Sequence, residues 1–180
     1  MRGKLFLFVS ALLLVAAANL NVCCTVSVNG EPLAGSYSPG CAGECLYLSE
    51  LAAEEICEGA AIMPAVTTSS YLSLRPPRND RQDFTDRVLR ETGGVSLLKT
   101  VYVKGRRLGS VSGECDIRTL LKENIVSQQP NSAEYGVYSG EILIEQCYGR
   151  SGSETESADM VLLVSGMAPV MYFNGDGERA

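Results

Sequence analysis

The seven cysteines, Cys23, Cys24, Cys41, Cys45, Cys57, Cys115 and Cys147, are the residues whose type and spacing point most directly to chemistry. A thiol can form a disulfide, hold a soft metal or act as a nucleophile, and its neighbours decide which. The chain has no histidine. That removes Ser-His-Asp and Cys-His catalysis and every histidine metal site. A Cys-x-x-Cys redox pair is absent. Cys41-x3-Cys45-x11-Cys57 offers three thiolates where structural zinc takes four ligands, usually in two close pairs. No metal and no cofactor are expected. Disulfide bonding is the remaining default for a chain that meets an oxidising compartment. Seven is odd, so at least one thiol stays free, is buried or pairs with another molecule. Adjacent Cys23 and Cys24 are poor partners for each other. Cys41 and Cys45, four apart, share one face of a helix, which suits two bridges leaving that face better than one between them.

Other catalytic patterns are missing. There is no nucleophile elbow, phosphate loop or dinucleotide fingerprint; Gly109-Ser110-Val111-Ser112-Gly113 puts valine where the nucleophile belongs. Glu54-Glu55 and Glu141/Glu145 are paired carboxylates of the kind glycoside hydrolysis uses. Acidic residues are abundant enough that solvated faces explain them more simply. Charge is segregated along the chain. Residues 41–74 hold five Glu and no Lys or Arg, whereas residues 75–107 hold nine Lys/Arg against four acids. Ion pairing between the two stretches accounts for this without a ligand. The sharper reading is an anionic-ligand patch, for instance for sulfated glycans, at Lys104, Arg106 and Arg107. No Asn-x-Ser/Thr acceptor is present, and Asn21-Val22-Cys23 is only the rare cysteine variant.

The compartment follows from the first eighteen residues. Arg2 and Lys4 precede an apolar run over 5–15, and Ala16-Ala17-Ala18 forms a small-residue cleavage site. This order predicts a secretory signal peptide over 1–18. Its apolar run is shorter than the roughly 20 residues a membrane span needs. No transmembrane segment is expected in the mature chain. The leader takes two of the 15 basic residues and no acid, leaving 13 basic against 21 acidic, a net −8. So acidic a chain is a poor nucleic-acid binder. A secreted single α+β domain is expected over 19–173, with a polar tail over 174–180.

The elements that must position these residues can be read from periodicity. Thr25-Val26-Ser27-Val28 alternates and Asn29-Gly30 is a tight turn. Over 41–60, Cys41, Cys45, Leu48, Ala52 and Ile56 make a helical stripe that Gly59 ends. Residues 63–78, with Pro64, Pro76 and Pro77, read as a long loop. A helix over 79–91 has Asn79 or Asp80 as its cap and Phe84, Val88 and Leu89 as its buried stripe. Residues 95–104 read as a strand, 105–109 as a basic turn, and 112–126 as a helix with Cys115 in its first turn. Residues 128–135 read as polar loop, 137–148 as a strand, 149–157 as a flexible connection, and 160–165 and 170–173 as apolar β-type runs. Helices first and strands mixed with one helix later suggest an antiparallel sheet with helices packed on it.

The stretch from Val103 to Leu121 is a strand end, a Gly113-Glu114-Cys115 turn and an amphipathic helix. The stretch from Leu143 to Tyr148 contains Gln146-Cys147. A Gly/Ser loop, Ala158-Asp159-Met160-Val161-Leu162-Leu163 and Pro169 follow. Together these resemble part of the secreted surface antigen family of coccidian (Eimeria-type) parasites. The resemblance implies a CAP-like α–β–α sandwich stapled by disulfides, displayed at a parasite surface, non-enzymatic, with attachment to a host cell-surface protein or glycan as its role. Three departures stand out. Leu163 occupies the place of the family's cysteine in the closing hairpin. Cys23-Cys24 has no counterpart. The chain ends in Asn174-Gly175-Asp176-Gly177-Glu178-Arg179-Ala180 rather than a C-terminal lipid-anchor signal.

The leading expectation is therefore a secreted, disulfide-stapled binding domain of surface-antigen type. The alternatives are a secreted hydrolase using paired carboxylates and a protease inhibitor presenting residues 63–78. Among the thiols, a bridge from Cys45 or Cys57 to Cys115 is expected. It would close a loop of about 60–70 residues and stabilise the fold by roughly 4 kcal/mol.

Overall fold

The structure, a computed structural model, describes residues 19–59 and 61–180. The expected leader over 1–18 lies outside the described residues. The described residues divide into two compact units, the first ending at Gly93 and the second spanning Gly94–Ala180. Each is α+β, built on an antiparallel sheet with helices against it. Among the described residues no helix is long and apolar enough to cross a membrane.

The first unit begins with β1 (Asn21–Val28), which turns through Asn29-Gly30 into the short β2 (Glu31–Pro32). Both turn residues have positive φ, 52° and 84°, the backbone an Asn-Gly hairpin turn requires. Helix α1 (Pro39–Cys57) follows, capped by Ser38, whose hydroxyl accepts from the Cys41 amide at 3.2 Å. Strand β3 (Val66–Ser73) then pairs with β1 along its whole length, Asn21↔Ser73 to Val28↔Val66, giving the order β2-β1-β3. Helix α2 (Arg81–Glu91) is capped by Asp80. Asn79 does not cap; its side-chain oxygen accepts from the Ser38 amide at 2.7 Å. Phe84, Val88 and Leu89 are buried as their spacing predicts. With Cys24, Val26, Val28, Tyr37, Cys41, Ala42 and Cys45, the first two form the core of this unit. Burying an apolar side chain of that size contributes about 1.5–3 kcal/mol.

The second unit opens with β4 (Val95–Val103), which turns at Lys104-Gly105 into β5 (Arg106–Ser112). Helix α3 (Ile117–Ser127), β6 (Tyr135–Tyr138), β7 (Ile142–Arg150), α4 (Ser157–Met167) and β8 (Val170–Phe173) follow. The three long strands form a sheet in the order β5-β4-β7, while β6 and β8 pair separately. Val101, Val103 and Val111 meet Ile117 and Leu121 of α3 and Met160 and Val164 of α4, with Ala168, in an aliphatic core. Gly109 admits this packing, since a Cβ there would lie 3.1 Å from both the Met160 methyl and the Thr155 hydroxyl.

Several expectations are corrected. Residues 63–78 are not a long loop, because 66–73 form β3. β-branched Val66, Thr67 and Thr68 and aromatic Tyr71 suit a strand, and β1 offers an eight-residue partner. The turn read over 105–109 is a two-residue turn, and Arg106 already belongs to β5. Lys104 has φ 50° and Gly105 φ 74°, so lysine fills the left-handed place usually held by Asn. The run 160–165 is helical, not extended. Met160, Val164 and Ala168 recur at steps of four and are buried, a pattern a short apolar run shares with a strand until its neighbours choose. That places 158–163 in α4 rather than in a hairpin with β7. Cys115 precedes α3, whose cap is Asp116. On α1 the buried stripe is Cys41, Cys45, Ser49, Ala53 and Cys57, turned by one residue from the stripe through Leu48, Ala52 and Ile56. Leu48 and Leu51 are about half exposed, at 48% and 50%. Small Ser49 and Ala53 allow close approach, and the Ser49 hydroxyl is satisfied by the Cys45 carbonyl at 2.8 Å.

Candidate ligand groove

The cysteines come first because the sequence places its chemistry there. All seven stand as free thiols in this structure. Among the described residues no two cysteines stand at disulfide distance, so the expected stapling, Cys45 or Cys57 to Cys115 included, is not shown. Cys41 and Cys45 sulfurs lie 3.9 Å apart, facing each other across one helical turn rather than leaving for separate partners. The Cys24 thiol donates to the Tyr37 carbonyl at 3.3 Å. Burial pushes the Cys24 thiol up, and it pushes Cys45 up to about 11, with the Cys41 thiol adding to the effect. A thiol held protonated in an apolar core packs rather than reacts. Cys23 and Cys57 are buried as well, while Cys115 and Cys147 are half-buried. The Cys147 sulfur sits 3.1 Å from the Thr100 hydroxyl. Among the described residues no three His, Cys, Asp or Glu side chains stand together as a metal site.

The other predicted sites do not assemble as expected. Lys104 donates to the Met167 carbonyl at 3.1 Å, which turns its ammonium toward the end of α4. Arg106 and Arg107 are successive residues of β5 and therefore point to opposite faces. Arg107 reaches Ser110 at 3.5 Å. The three cations share a hairpin without converging. Glu54 and Glu55 are exposed on α1. Glu141 and Glu145 share a cavity of about 270 Å³ with Tyr102, Gly105 and Leu143. Their backbones are four positions apart along extended chain, roughly 13 Å, and Tyr102, Gly105 and Leu143 bring no further charge to them. The inhibitor reading needed a protruding loop at 63–78, and β3 occupies that segment.

A different constellation does come together. The turn of α3 places Arg118, Leu121, Lys122 and Ile125 on one side, at the three- and four-residue spacing of a helical face. The pleat of β7 places Ile142, Ile144 and Gln146 on one face. These two rows form opposite walls of a groove made of two adjoining cavities, about 320 and about 390 Å³, that share Arg118 and Ile144. Lys99 and Asp116 close the end near Gln146. Tyr138 closes the other end, its hydroxyl donating to the Leu121 carbonyl at 3.1 Å. No protein-family model, no curated protein and no solved structure matches this chain. The groove is therefore judged on its own chemistry.

That chemistry is mixed. The Tyr138 end sets Leu121, Ile125, Ile142 and Ile144 beside Arg118 and Lys122. Around Arg118 the groove is cationic. Lys99 spends one hydrogen bond on the Cys115 carbonyl at 2.6 Å and, with Arg118 and Lys122, brings three positive charges to a chain of net charge −6. Asp116 is the only acid in the walls. Hydrogen bonds from the Thr119 hydroxyl and amide hold its carboxyl below the usual range, and Lys99 and Lys122 lower it further. Sequence periodicity marks Ile117, Leu121 and Ile125 as the core side of a helix. It contains no sign that the flank with Arg118 and Lys122 faces β7.

Proposed function

We propose that the protein is a secreted, non-enzymatic binding domain of surface-antigen type, which holds an anionic partner in the groove between α3 and β7. The observation that carries the reading is the groove itself, an apolar trough with Lys99 and Arg118 at one end and Lys122 along its helix wall. Ligand sites commonly combine an apolar lining with a few placed polar groups. Secretion rests on the charged, apolar and small-residue order of residues 1–18. The surface-antigen reading rests on the Gly113-Glu114-Cys115 turn and the 143–148 strand. The run at 158–163 lends it no support, being helical. A CAP-like sandwich and disulfide stapling belong to the same reading, and non-reducing peptide mapping of the secreted protein reads the bridges. Its partner on this view is an acidic protein segment or glycan at a host cell surface.

The test uses 8-anilinonaphthalene-1-sulfonate, an apolar ring system with one anionic group. Fluorescence titration should show saturable binding that weakens about tenfold or more in Arg118→Glu/Lys122→Glu. Near-UV dichroism of the tyrosines should stay unchanged, which separates groove binding from loosened packing. Replacing Lys104, Arg106 and Arg107 by Ala should leave the titration as it was. A loss confined to that second variant would move the site to the hairpin and sink the reading.

A further inference from the structure

We propose that the partner's binding segment is an extended peptide that adds to β7 as an antiparallel strand, with an acidic side chain at its N-terminal end and apolar side chains two and four residues later. The inference rests on the groove reading above and names what the groove takes. Its first ground is topological. β7 pairs with β4 alone and forms one edge of the β5-β4-β7 sheet. Among the described residues, no turn or loop backbone bonds to residues 142–149. In an antiparallel pair, alternate residues turn their N–H and C=O groups toward the partner and the rest turn them outward. Over residues 142–147 of this strand, about half the backbone groups are therefore turned outward, toward the place another chain would occupy.

The second ground is the position of α3. Its Arg118, Leu121, Lys122 and Ile125 face the same side of β7 that carries Ile142, Ile144 and Gln146. A strand laid beside β7 would send every second side chain into the space between the two walls. The distance from Ile142 to Gln146 is about 13 Å, the length of five extended residues. A small anion would use the cations and the apolar floor but leave the strand edge unpaired. An extended peptide uses all three, which is how strand addition combines backbone affinity with side-chain pockets.

Direction and chemistry then follow. The groove runs from Lys99 and Arg118 beside Gln146 to Leu121, Ile125 and Tyr138 beside Ile142. An antiparallel guest begins at the Gln146 end. Its first inward side chain meets Lys99 and Arg118 and should be acidic. Asp116 at that end is occupied by Thr119 and flanked by Lys99 and Lys122, so it opposes such a charge only weakly. The next two inward side chains meet Leu121, Ile125, Ile142 and Ile144, with Lys122 on the helix wall beside them.

The test is isothermal titration of the full chain with acetyl-Glu-Thr-Val-Thr-Val-amide and two variants, one N-methylated at both Thr and one at both Val. In any added strand one alternate set of amides faces β7 and the other faces away. One methylated peptide should bind within about twofold of the parent. The other should bind about tenfold weaker or worse, from two lost hydrogen bonds of about 1 kcal/mol each. Changing the peptide's Glu to Lys should weaken it by a similar factor, an effect that Arg118→Glu in the protein should partly reverse. Equal binding of the two methylated peptides, strong or weak, overturns strand addition. If the sulfonate binds and no peptide does, the inference falls and the groove reading stands. If neither binds, both fall. A dimer of the free chain that the peptide cannot dissociate assigns the β7 edge to a second copy and also overturns the inference.

Discussion

The first unit packs its helices on sulfur, small side chains and two aromatic rings, whereas the second packs its helices on branched aliphatics. Both use a three-stranded antiparallel sheet. In the first, Cys24, Cys41 and Cys45 share the core with Ala42, Tyr37 and Phe84, the two rings meeting edge-on at 5.5 Å. In the second, Val101, Val103, Val111, Ile117, Leu121 and Val164 dominate. The difference shows where each unit puts its polarity. The first turns it inward, into thiols, the Ser49 hydroxyl and a Tyr37 hydroxyl that is fully buried without a hydrogen-bond partner. The second buries Thr100 and Ser110 as a pair whose hydroxyls bond each other at 2.8 Å, and it places Lys99, Arg118 and Lys122 around a groove. Inward polarity constrains packing, because every buried polar group needs a partner. Polarity at a groove remains available to a ligand.

The largest test of this contrast removes one large core side chain from each unit. Phe84→Ala should cost about 3–5 kcal/mol and Met160→Ala about 2–5 kcal/mol, read from urea unfolding of the full chain. Amide hydrogen exchange should rise mainly in the unit that carries the substitution. Equal opening of both units by either change would break the description as two separate cores.

A smaller effect of opposite sign tests the inward polarity. Tyr37→Phe removes the unpartnered hydroxyl and keeps the ring against Phe84, so stability should rise by about 1–3 kcal/mol. A loss instead would mean that the hydroxyl has a partner, such as a buried water. The same hydroxyl sets a pH dependence. Burial first, then Asp83 and Asp80, push the Tyr37 phenol up to about 12 from its ordinary value of 10. The fold favours the neutral form, so this contribution is whole below pH 10. It is lost as pH rises from 10 to about 12, where the unfolded phenol ionises and the folded one does not. Absorbance of tyrosinate should show a late step from Tyr37, which should follow unfolding. Tyr37→Phe should remove that late step.

The smallest expected effect is at a helix end. Ser38→Ala removes the α1 cap and should cost about 1 kcal/mol in urea unfolding. The change should leave sulfonate binding in the second unit untouched. A linked loss of binding would mean that the groove depends on the first unit.

Much of the local architecture was legible in the chain. The Asn29-Gly30 turn and α2 with its Phe84, Val88 and Leu89 stripe both follow from short-range rules. The elements misread are those whose local signals were ambiguous. β3 is nearly all exposed and polar, so no hydrophobic alternation marks it, and β1 supplies the hydrogen bonds that make it a strand. The run Met160-Val161-Leu162-Leu163 suits strand or helix, and packing of Met160 on Gly109 accompanies the helical choice. The stripe on α1 was mistaken by one position because Leu outranks Ser in hydrophobicity, while close packing preferred the smaller residue.

The sequence by itself determined the kinds of chemistry available. The absence of histidine removed whole catalytic classes, and the acidic balance argued against nucleic acid. Composition bears on such matters because they depend on which groups exist, not on where they lie. Tertiary structure decided which groups meet. It turned Lys104 toward the end of α4 and brought Arg118 and Lys122 opposite Ile142 and Ile144. Those pairs come from elements up to tens of residues apart. Their encounter depends on sheet order and helix packing, which no local spacing records.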